Sequence, residues 1–425
     1  MSTRWVGASL RSFGERSREA LLLAAVTGFV VGLAIAGFEW IAGQQLLERL
    51  YELPVAVQAG APCVGLVLAA LALRWLAHGA GPSTSDEYIA NFHRPDRSLD
   101  LGPFPGRVLA SIATLGLGGA LGFEGPSIYI GSSIGTALQT RFRRIFASTD
   151  TKVLMVAGAA AGVAAIFKTP ATGAIFAIEV PFQDDTARHM LLPALIASAT
   201  SYVVYVAING TAPLFPIDGS PPFAFKELAG AALLGLIAGI GARGFAALLV
   251  LAKRAATTLH PVVRVGGAGV TLAGLLVISQ IVYGESLTLG SGYNVIRWVA
   301  TGHHALWLVA LLLVLRTAAT SATVAGGGAG GLFIPLVVLG ALLGRMTGDV
   351  FSESTETLFP VIGIAAFLGA GYRTPLAAVM FVAESTGRPG FIVPGLIATV
   401  VSQLPMGMAS VSAHQLPQRA AGPGL

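Results

Sequence analysis

Long apolar stretches recur along this chain from Leu21 to the neighbourhood of Ser412. Hydrophobic residues make up 54% of the 425 residues and charged residues only 11%, with a mean hydropathy of +0.75. Stretches of this kind can cross a bilayer, where only helices and closed barrels satisfy every main-chain polar group. The sequence therefore predicts an all-α polytopic membrane protein that has the lipid bilayer as its partner.

Glycines at four-residue spacing predict close helix packing. The pairs are Gly28/Gly32, Gly131/Gly135, Gly235/Gly239 and Gly340/Gly344. Small residues let helix main chains approach each other where lipid supplies no hydrophobic drive. Glycine-rich interruptions at 116–123 and 326–331 also predict broken helices, which occur only where protein or water satisfies the freed main chain. We therefore expect a tight bundle of many, partly broken helices.

The two halves of the chain resemble each other at an offset of roughly 205 to 209 residues. Three blocks of the first half match the second half in order: Gly28, Gly32, Gly37 and Phe38 with Gly235, Gly239, Gly244 and Phe245; Pro126, Gly131 and Gly135 with Pro335, Gly340 and Gly344; and Gly158, Thr169, Pro170, Phe176 and Glu179 with Gly363, Thr374, Pro375, Phe381 and Glu384. Transporters built from such repeats bind their substrates near the midplane, at the repeat interface. A site between the halves is therefore expected.

This repeat predicts the organisation of the chain. Residues 1–19 are polar and amphipathic and indicate an interfacial cytoplasmic helix. Two transmembrane repeats, 20–210 and 225–415, flank a proline-rich connecting loop at 211–224. Residues 416–425 form a tail too short for a folded cytoplasmic module.

Glu124 is the only acidic or basic side chain between Val108 and Leu138. A charge at bilayer depth costs about 3 kcal/mol, so such residues usually face a partner, a cavity or an ion path. Gly122 and Gly125 permit a non-helical main chain beside it, and Pro126 suits the first residue of a helix. The sequence thus predicts an acid at the positive end of a helix inside the membrane.

Two further helix entries can supply main-chain amides to an anion. Residues 330–335 again deliver a glycine-rich main chain into a proline-started helix, now from the second half. Residues 81–87 form a polar break in which the Ser83 hydroxyl can donate to an anion and cap a helix. Thr84 and Glu87 have the spacing of a capping box.

Several charged residues have a structural interpretation. Glu124 could be a structural acid bound by neighbouring amides. Glu179 and Glu384 hold equivalent repeat positions at the ends of apolar helices, so we assign them a fold-supporting role outside the site. Lys168 and Arg373 are interpreted as structural cations with apolar stems along the protein.

Other classes of function are disfavoured. Residues 131–135 satisfy the Gly-x-Ser-x-Gly pattern of a hydrolase nucleophile, but they lie in an apolar helix instead of a strand-to-helix turn. An organic solute carrier would offer more polar side chains than these glycine-rich breaks. We expect no enzyme activity, no metal, no cofactor other than the bound anion itself, and no nucleic-acid partner.

These motifs, in this order, resemble the CLC family of chloride channels and chloride/proton antiporters over nearly the whole chain. Residues 115–135 resemble the family's Gly-Arg-Glu-Gly-Pro region, and 330–335 its Gly-x-Phe-x-Pro motif. Residues 171–179 resemble the helix that follows. The resemblance implies a homodimer with one anion pathway per subunit, each subunit being an inverted repeat of many tilted helices.

The resemblance also assigns roles position by position. It implies that Glu124 is the gating glutamate, whose carboxylate competes with chloride, and that Ser83 is the central-site serine. It implies that main-chain amides bind the anion at two places. One is the segment 123–125, including Phe123 and Gly125, and the other is Leu332 with Phe333. A carboxylate and a chloride can compete for the same helix-end amides, and protonation of the carboxylate would free the site.

Five positions depart from or bear on the family pattern. Phe123 replaces the family's arginine, and Val180 stands where exchangers carry an inner proton acceptor. Val411 stands where a tyrosine closes the central site, and it has no hydroxyl to donate. Fluoride-selective relatives depart from the family pattern at the positions of Ser83 and Pro126, so these two residues argue against fluoride.

From these observations we expect transport of chloride and similar small anions in a prokaryotic plasma membrane. The losses at Val180 and Val411 favour a channel-like or weakly proton-coupled protein. A proton-coupled chloride antiporter is the alternative.

Overall fold

The computed structural model describes residues 3–94, 98–143, 152–215, 225–301, 304–351 and 357–418, without the side chains of 3–17 and 349–351. The described residues fold into α-helices joined by short turns, which confirms the all-α fold class. The helices are α1 (Thr3–Glu39), α2 (Arg49–Glu52), α3 (Val55–Trp75), α4 (Ser85–His93), α5 (Phe104–Gly116), α6 (Glu124–Arg141), α7 (Val153–Phe167), α8 (Pro170–Glu179), α9 (Leu191–Asn209), α10 (Phe225–Thr258), α11 (Pro261–Tyr283), α12 (Tyr293–Ala300), α13 (Leu306–Ala325), α14 (Phe333–Phe351), α15 (Leu358–Tyr372), α16 (Pro375–Thr386) and α17 (Ile392–Met406).

Seven helical segments of the described chain are long and apolar enough to cross a membrane. They are Arg18–Glu52, Val55–Trp75, Arg188–Asn209, Phe225–Thr258, Pro261–Tyr283, Leu306–Ala325 and Pro389–Met406. Large apolar side chains on these segments, such as Val270, Ile281 and Leu404, are about three-quarters exposed. Such exposure suits lipid rather than water. The protein is a multi-pass membrane protein, as predicted.

Glycine contacts confirm the predicted close packing, and they recur in both halves. The main chain of Gly131 lies against that of Gly158, where α6 crosses α7, and Gly340 meets Gly363 where α14 crosses α15. A Cβ on any of these four glycines would collide with the facing carbonyl oxygen. A glycine also faces an alanine carbonyl oxygen where α1 meets α9 (Gly28 and Ala197) and where α10 meets α17 (Gly235 and Ala398).

Two glutamates tie the halves together in a reciprocal way. The Glu179 carboxylate, at the end of α8, accepts hydrogen bonds from the amides of Leu376 (3.1 Å) and Ala377 (2.8 Å) at the start of α16. The Glu384 carboxylate, near the end of α16, accepts hydrogen bonds from Ala171 (2.9 Å) and Thr172 (2.7 Å) at the start of α8. Because each helix end meets the other helix's beginning, α8 and α16 run antiparallel, as an inverted repeat requires.

The two cations next to these helices are held by the protein. Lys168 and Arg373 both adopt a left-handed conformation with φ of 56°, and each ends a helix just before a Thr-Pro pair. Lys168 donates to the carbonyl oxygens of Asn209 and Ala212, both at 3.3 Å. Arg373 pairs with Asp184 at 2.5 Å. Both contacts agree with the structural interpretation.

The helix starts at the proposed site differ slightly from the prediction. Helix α6 begins at Glu124 and α14 at Phe333, so Pro126 and Pro335 are third residues rather than first. Both prolines still lie in the first turn, where the missing amide costs no intrahelical hydrogen bond.

The division into segments stays a prediction. Helix α1 runs without a break from Thr3 to Glu39, so residues 3–19 continue into the first span. Of the loop predicted at 211–224, residues 216–224 lie outside the described residues, as do residues 419–425 of the tail.

Candidate functional site

The two halves meet at a pair of glycines that precede α6 and α14. The Gly122 amide donates to the Gly331 carbonyl oxygen, and the Gly331 amide donates to that of Gly122, both at 2.8 Å. This two-residue bridge sets the glycine-rich entries side by side. Neither residue has room for a Cβ, which on Gly331 would collide with the Glu124 carboxylate.

Glu124 is fully buried at this junction. Its Oε1 accepts a hydrogen bond from the Phe333 amide at 2.5 Å. Among the described residues, its Oε2 has no hydrogen-bond partner. The carboxylate of one half thus lies at the N-terminus of a helix from the other half, the place where an anion is stabilised.

A cavity of about 560 Å³ brings together Ser83, Leu332 and Val411. Its wall also carries four basic side chains: Arg74, Lys253, Arg264 and His414. The acid on this wall, Asp86, is paired with Lys253 at 2.8 Å. The cavity is therefore electropositive and suited to concentrating anions.

A second cavity, of about 850 Å³, is lined by Phe123, Tyr293 and other residues. Phe123 packs edge to face on Phe38 with ring centroids 6.0 Å apart, so its side chain is apolar packing at this wall. Glu124, Gly125 and Phe333 line neither cavity. Its chain neighbour Phe123 lines the second cavity, and Leu332, which precedes the Phe333 bound to its carboxylate, lines the first, so Glu124 lies between the two.

Val180 lines neither of these cavities. It is buried at the end of α8, and its carbonyl oxygen accepts a hydrogen bond from Gln415 at 2.8 Å. The same Gln415 side chain donates to the carbonyl oxygen of Tyr372, a residue that lines the first cavity, at 2.7 Å.

The expected capping box at Thr84 and Glu87 is wrong. Thr84 is the N-cap of α4, but its side chain makes no capping hydrogen bond and instead reaches the Gly330 carbonyl oxygen at 3.4 Å. Glu87 pairs with Arg107 at 2.9 Å and accepts from Asn91 at 2.7 Å. An ion pair with a cation from α5 is stronger than a bond to the N-cap amide, so Glu87 turns away from it.

Two features of the cavity were missed in the sequence. The first is a network in which Asp86 accepts from Ser412 (2.7 Å) and Lys253, while Lys253 also donates to the Val411 carbonyl oxygen (3.1 Å). This network holds the segment around Val411 against the start of α4. The second is Tyr372, which joins the cavity wall from the end of α15. A tyrosine closing an apolar helix has no motif that would single it out.

Comparisons with known proteins agree with this geometry. The sequence model of the voltage gated chloride channel family matches residues 64–406. Proteins named H(+)/Cl(-) exchange transporter ClcA, from Salmonella typhimurium and Salmonella arizonae, are each 28% identical, over 90% of this chain and 85% of the relative.

Solved structures share the fold. A slow cyanobacterial Cl-/H+ antiporter has a TM-score of 0.81 and 20% identity, covering 92% of this chain and 96% of its own. A CLC-type fluoride/proton antiporter has a TM-score of 0.80 and 23% identity, covering 95% and 98%.

A helical membrane fold in which a buried carboxylate lies at a helix N-terminus suits a protein that transports anions. The chain belongs to the voltage gated chloride channel family, the CLC family. Because its members are channels and transporters, the hydrolase alternative is set aside, and the chain is not an enzyme.

Proposed function

We propose that this protein exchanges chloride for protons across the membrane, with Glu124 as the residue that both ions share. The observation that carries the proposal is the 2.5 Å hydrogen bond from the Phe333 amide to the Glu124 carboxylate. A chloride ion would need the same amide, so carboxylate and chloride compete for one place. When Glu124 takes up a proton it loses its charge, leaves the amides, and makes room for chloride.

In this proposal chloride is the bound ion, and its path passes the residues assigned from the sequence. Amides at Phe123, Gly125, Leu332 and Phe333 replace the ion's hydration shell, and Ser83 adds a hydroxyl. The basic wall of the 560 Å³ cavity supports anion entry from that side.

Exchange is favoured over the channel-like function because the curated relatives are named H(+)/Cl(-) exchange transporters. The absence of an acid at Val180 is the observation that favours uncoupled or weakly coupled conduction instead. Proton access through the first cavity would not require an acid at position 180, because its wall includes Tyr372, whose ring lies 6.4 Å from that of the Phe333 bound to Glu124.

Purified protein in liposomes separates these functions. With an imposed chloride gradient and no proton gradient, we expect chloride efflux to drive protons inward, so that the external pH rises. External pH is recorded with a pH electrode and external chloride with a chloride electrode in the same vessel. Chloride flux without proton movement would instead establish uncoupled conduction, and vesicles that retain chloride would contradict both functions.

We also propose the homodimer that the family resemblance implies, with one anion pathway in each subunit. We expect two bleaching steps per particle when a singly labelled protein is reconstituted and observed by single-molecule fluorescence. A distribution dominated by single steps would contradict the dimer.

A further inference from the structure

Tyr372 is the buried tyrosine on the wall of the 560 Å³ cavity, and its ring is held rigidly. The side chain is 1% exposed. It packs edge to face on Phe176 with ring centroids 5.4 Å apart, and lies 6.4 Å from the ring of Phe333. With the ring fixed by these contacts, only the hydroxyl proton is free to reorient.

Tyr372 shares its cavity with residues of the candidate site. Ser83 and Leu332 line the same cavity as Tyr372. Leu332 precedes Phe333, whose amide binds Glu124 and whose ring lies next to that of Tyr372. Tyr372 therefore lies close to the place where the carboxylate is bound, on the side of the electropositive cavity.

The main chain places Tyr372 next to the valine that lacks a hydroxyl. The Val411 amide donates to the Gly371 carbonyl oxygen at 2.9 Å, so the two segments are in direct contact. Gln415 fixes the same turn by donating to the Tyr372 carbonyl oxygen at 2.7 Å. The segments containing Tyr372 and Val411 are thus adjacent, and both line the cavity. Of these two residues, only Tyr372 carries a hydroxyl.

We propose that the Tyr372 hydroxyl is a ligand of the transported anion, donating its proton to the ion in the first cavity between Ser83 and Leu332. This inference rests on the proposed chloride transport. An O–H donor on a rigid ring is well suited to a spherical anion, because it adds a directed hydrogen bond without a fixed positive charge that would hold the ion too tightly. The hydroxyl missing at Val411 is supplied from the end of α15.

The test is chloride binding to detergent-purified protein, measured by isothermal titration calorimetry. Tyr372→Phe removes only the hydroxyl and keeps the ring contacts. Since a hydrogen bond to a charged group is lost, we expect the dissociation constant for chloride to rise about tenfold.

The matched control is Tyr88→Phe, which removes another fully buried hydroxyl. The Tyr88 hydroxyl donates to the Ala177 carbonyl oxygen at 2.7 Å, and Tyr88 does not line the cavity. We expect this variant to bind chloride as the unmodified protein does. An affinity of Tyr372→Phe within about twofold of the unmodified protein would overturn the proposal.

A second measurement decides the matter if Tyr372→Phe does not fold. Crystals of the unmodified protein grown in bromide should show anomalous density within hydrogen-bonding distance of the Tyr372 hydroxyl. Bromide bound elsewhere in the cavity, with none beside this hydroxyl, would also overturn the proposal. If the unmodified protein moves chloride but either result is negative, only the Tyr372 role fails; if it neither binds nor moves chloride, the proposed function fails too.

Discussion

Replacing Glu124 with glutamine is expected to abolish proton movement while leaving chloride flux measurable. Glutamine has nearly the same shape as the protonated acid, but it carries no negative charge to compete for the Phe333 amide and no exchangeable carboxyl proton. In the unmodified protein, chloride flux should rise as pH falls from about 7 to about 4, because protonation neutralises carboxylates over this range. In Glu124→Gln the chloride flux should be constant over the same range, in liposomes with the membrane voltage clamped.

Glu179→Gln is the matched control for this experiment. Glu179 is also a buried carboxylate held by main-chain amides, those of Leu376 and Ala377, but it lies outside both cavities. We expect Glu179→Gln to keep the pH dependence of chloride flux. If Glu124→Gln kept it as well, the shared-site mechanism would be wrong.

Adding a single methyl group at Gly131 is expected to disrupt folding. The Cβ of alanine would collide with the Gly158 carbonyl oxygen, and both main chains lie in tightly packed helices that cannot move independently. Overpacking of this kind costs about 3 kcal/mol. Gly131→Ala should therefore lower the midpoint of thermal unfolding and reduce the yield of monodisperse protein on size exclusion.

Position 37 supplies the control, since a Cβ on Gly37 would meet no atom within 4 Å. Gly37→Ala in the same assay should be neutral or stabilising by up to about 1 kcal/mol, because alanine favours the helix. Gly340→Ala, at the equivalent of Gly131 in the second half, should be as damaging as Gly131→Ala. Equal stability of Gly131→Ala and Gly37→Ala would show that the crossing of α6 and α7 is loose.

The sequence was most informative where the repeat supported a local pattern. Gly131 and Gly340 predicted close crossings because two copies carried the same spacing, and the structure has both crossings. Glu124 stood out because an isolated charge in an apolar run is energetically costly. These signals are local in the chain, so they can be identified without knowing which segments meet.

What the sequence could not predict depends on contacts between distant segments. The bridge between Gly122 and Gly331 joins residues from the two halves, and no local pattern specifies this pairing. Tyr372 gained its place in the cavity from neighbours at positions 85 and 332. The capping box failed for a related reason, because Arg107, on a different helix, attracts Glu87 away from the N-cap.

The reciprocal bonds of Glu179 and Glu384 also constrain how the protein is made. When only the first half has been synthesised, the amides at the start of α8 cannot yet bind Glu384, because that residue lies 212 residues beyond Thr172. Glu179 likewise has no α16 amides to bind at this stage. A carboxylate and amides without hydrogen-bond partners inside lipid cost free energy. The half-made protein therefore needs water, a chaperone or the insertion machinery at these groups, and release into the bilayer is favourable only after α16 has been synthesised.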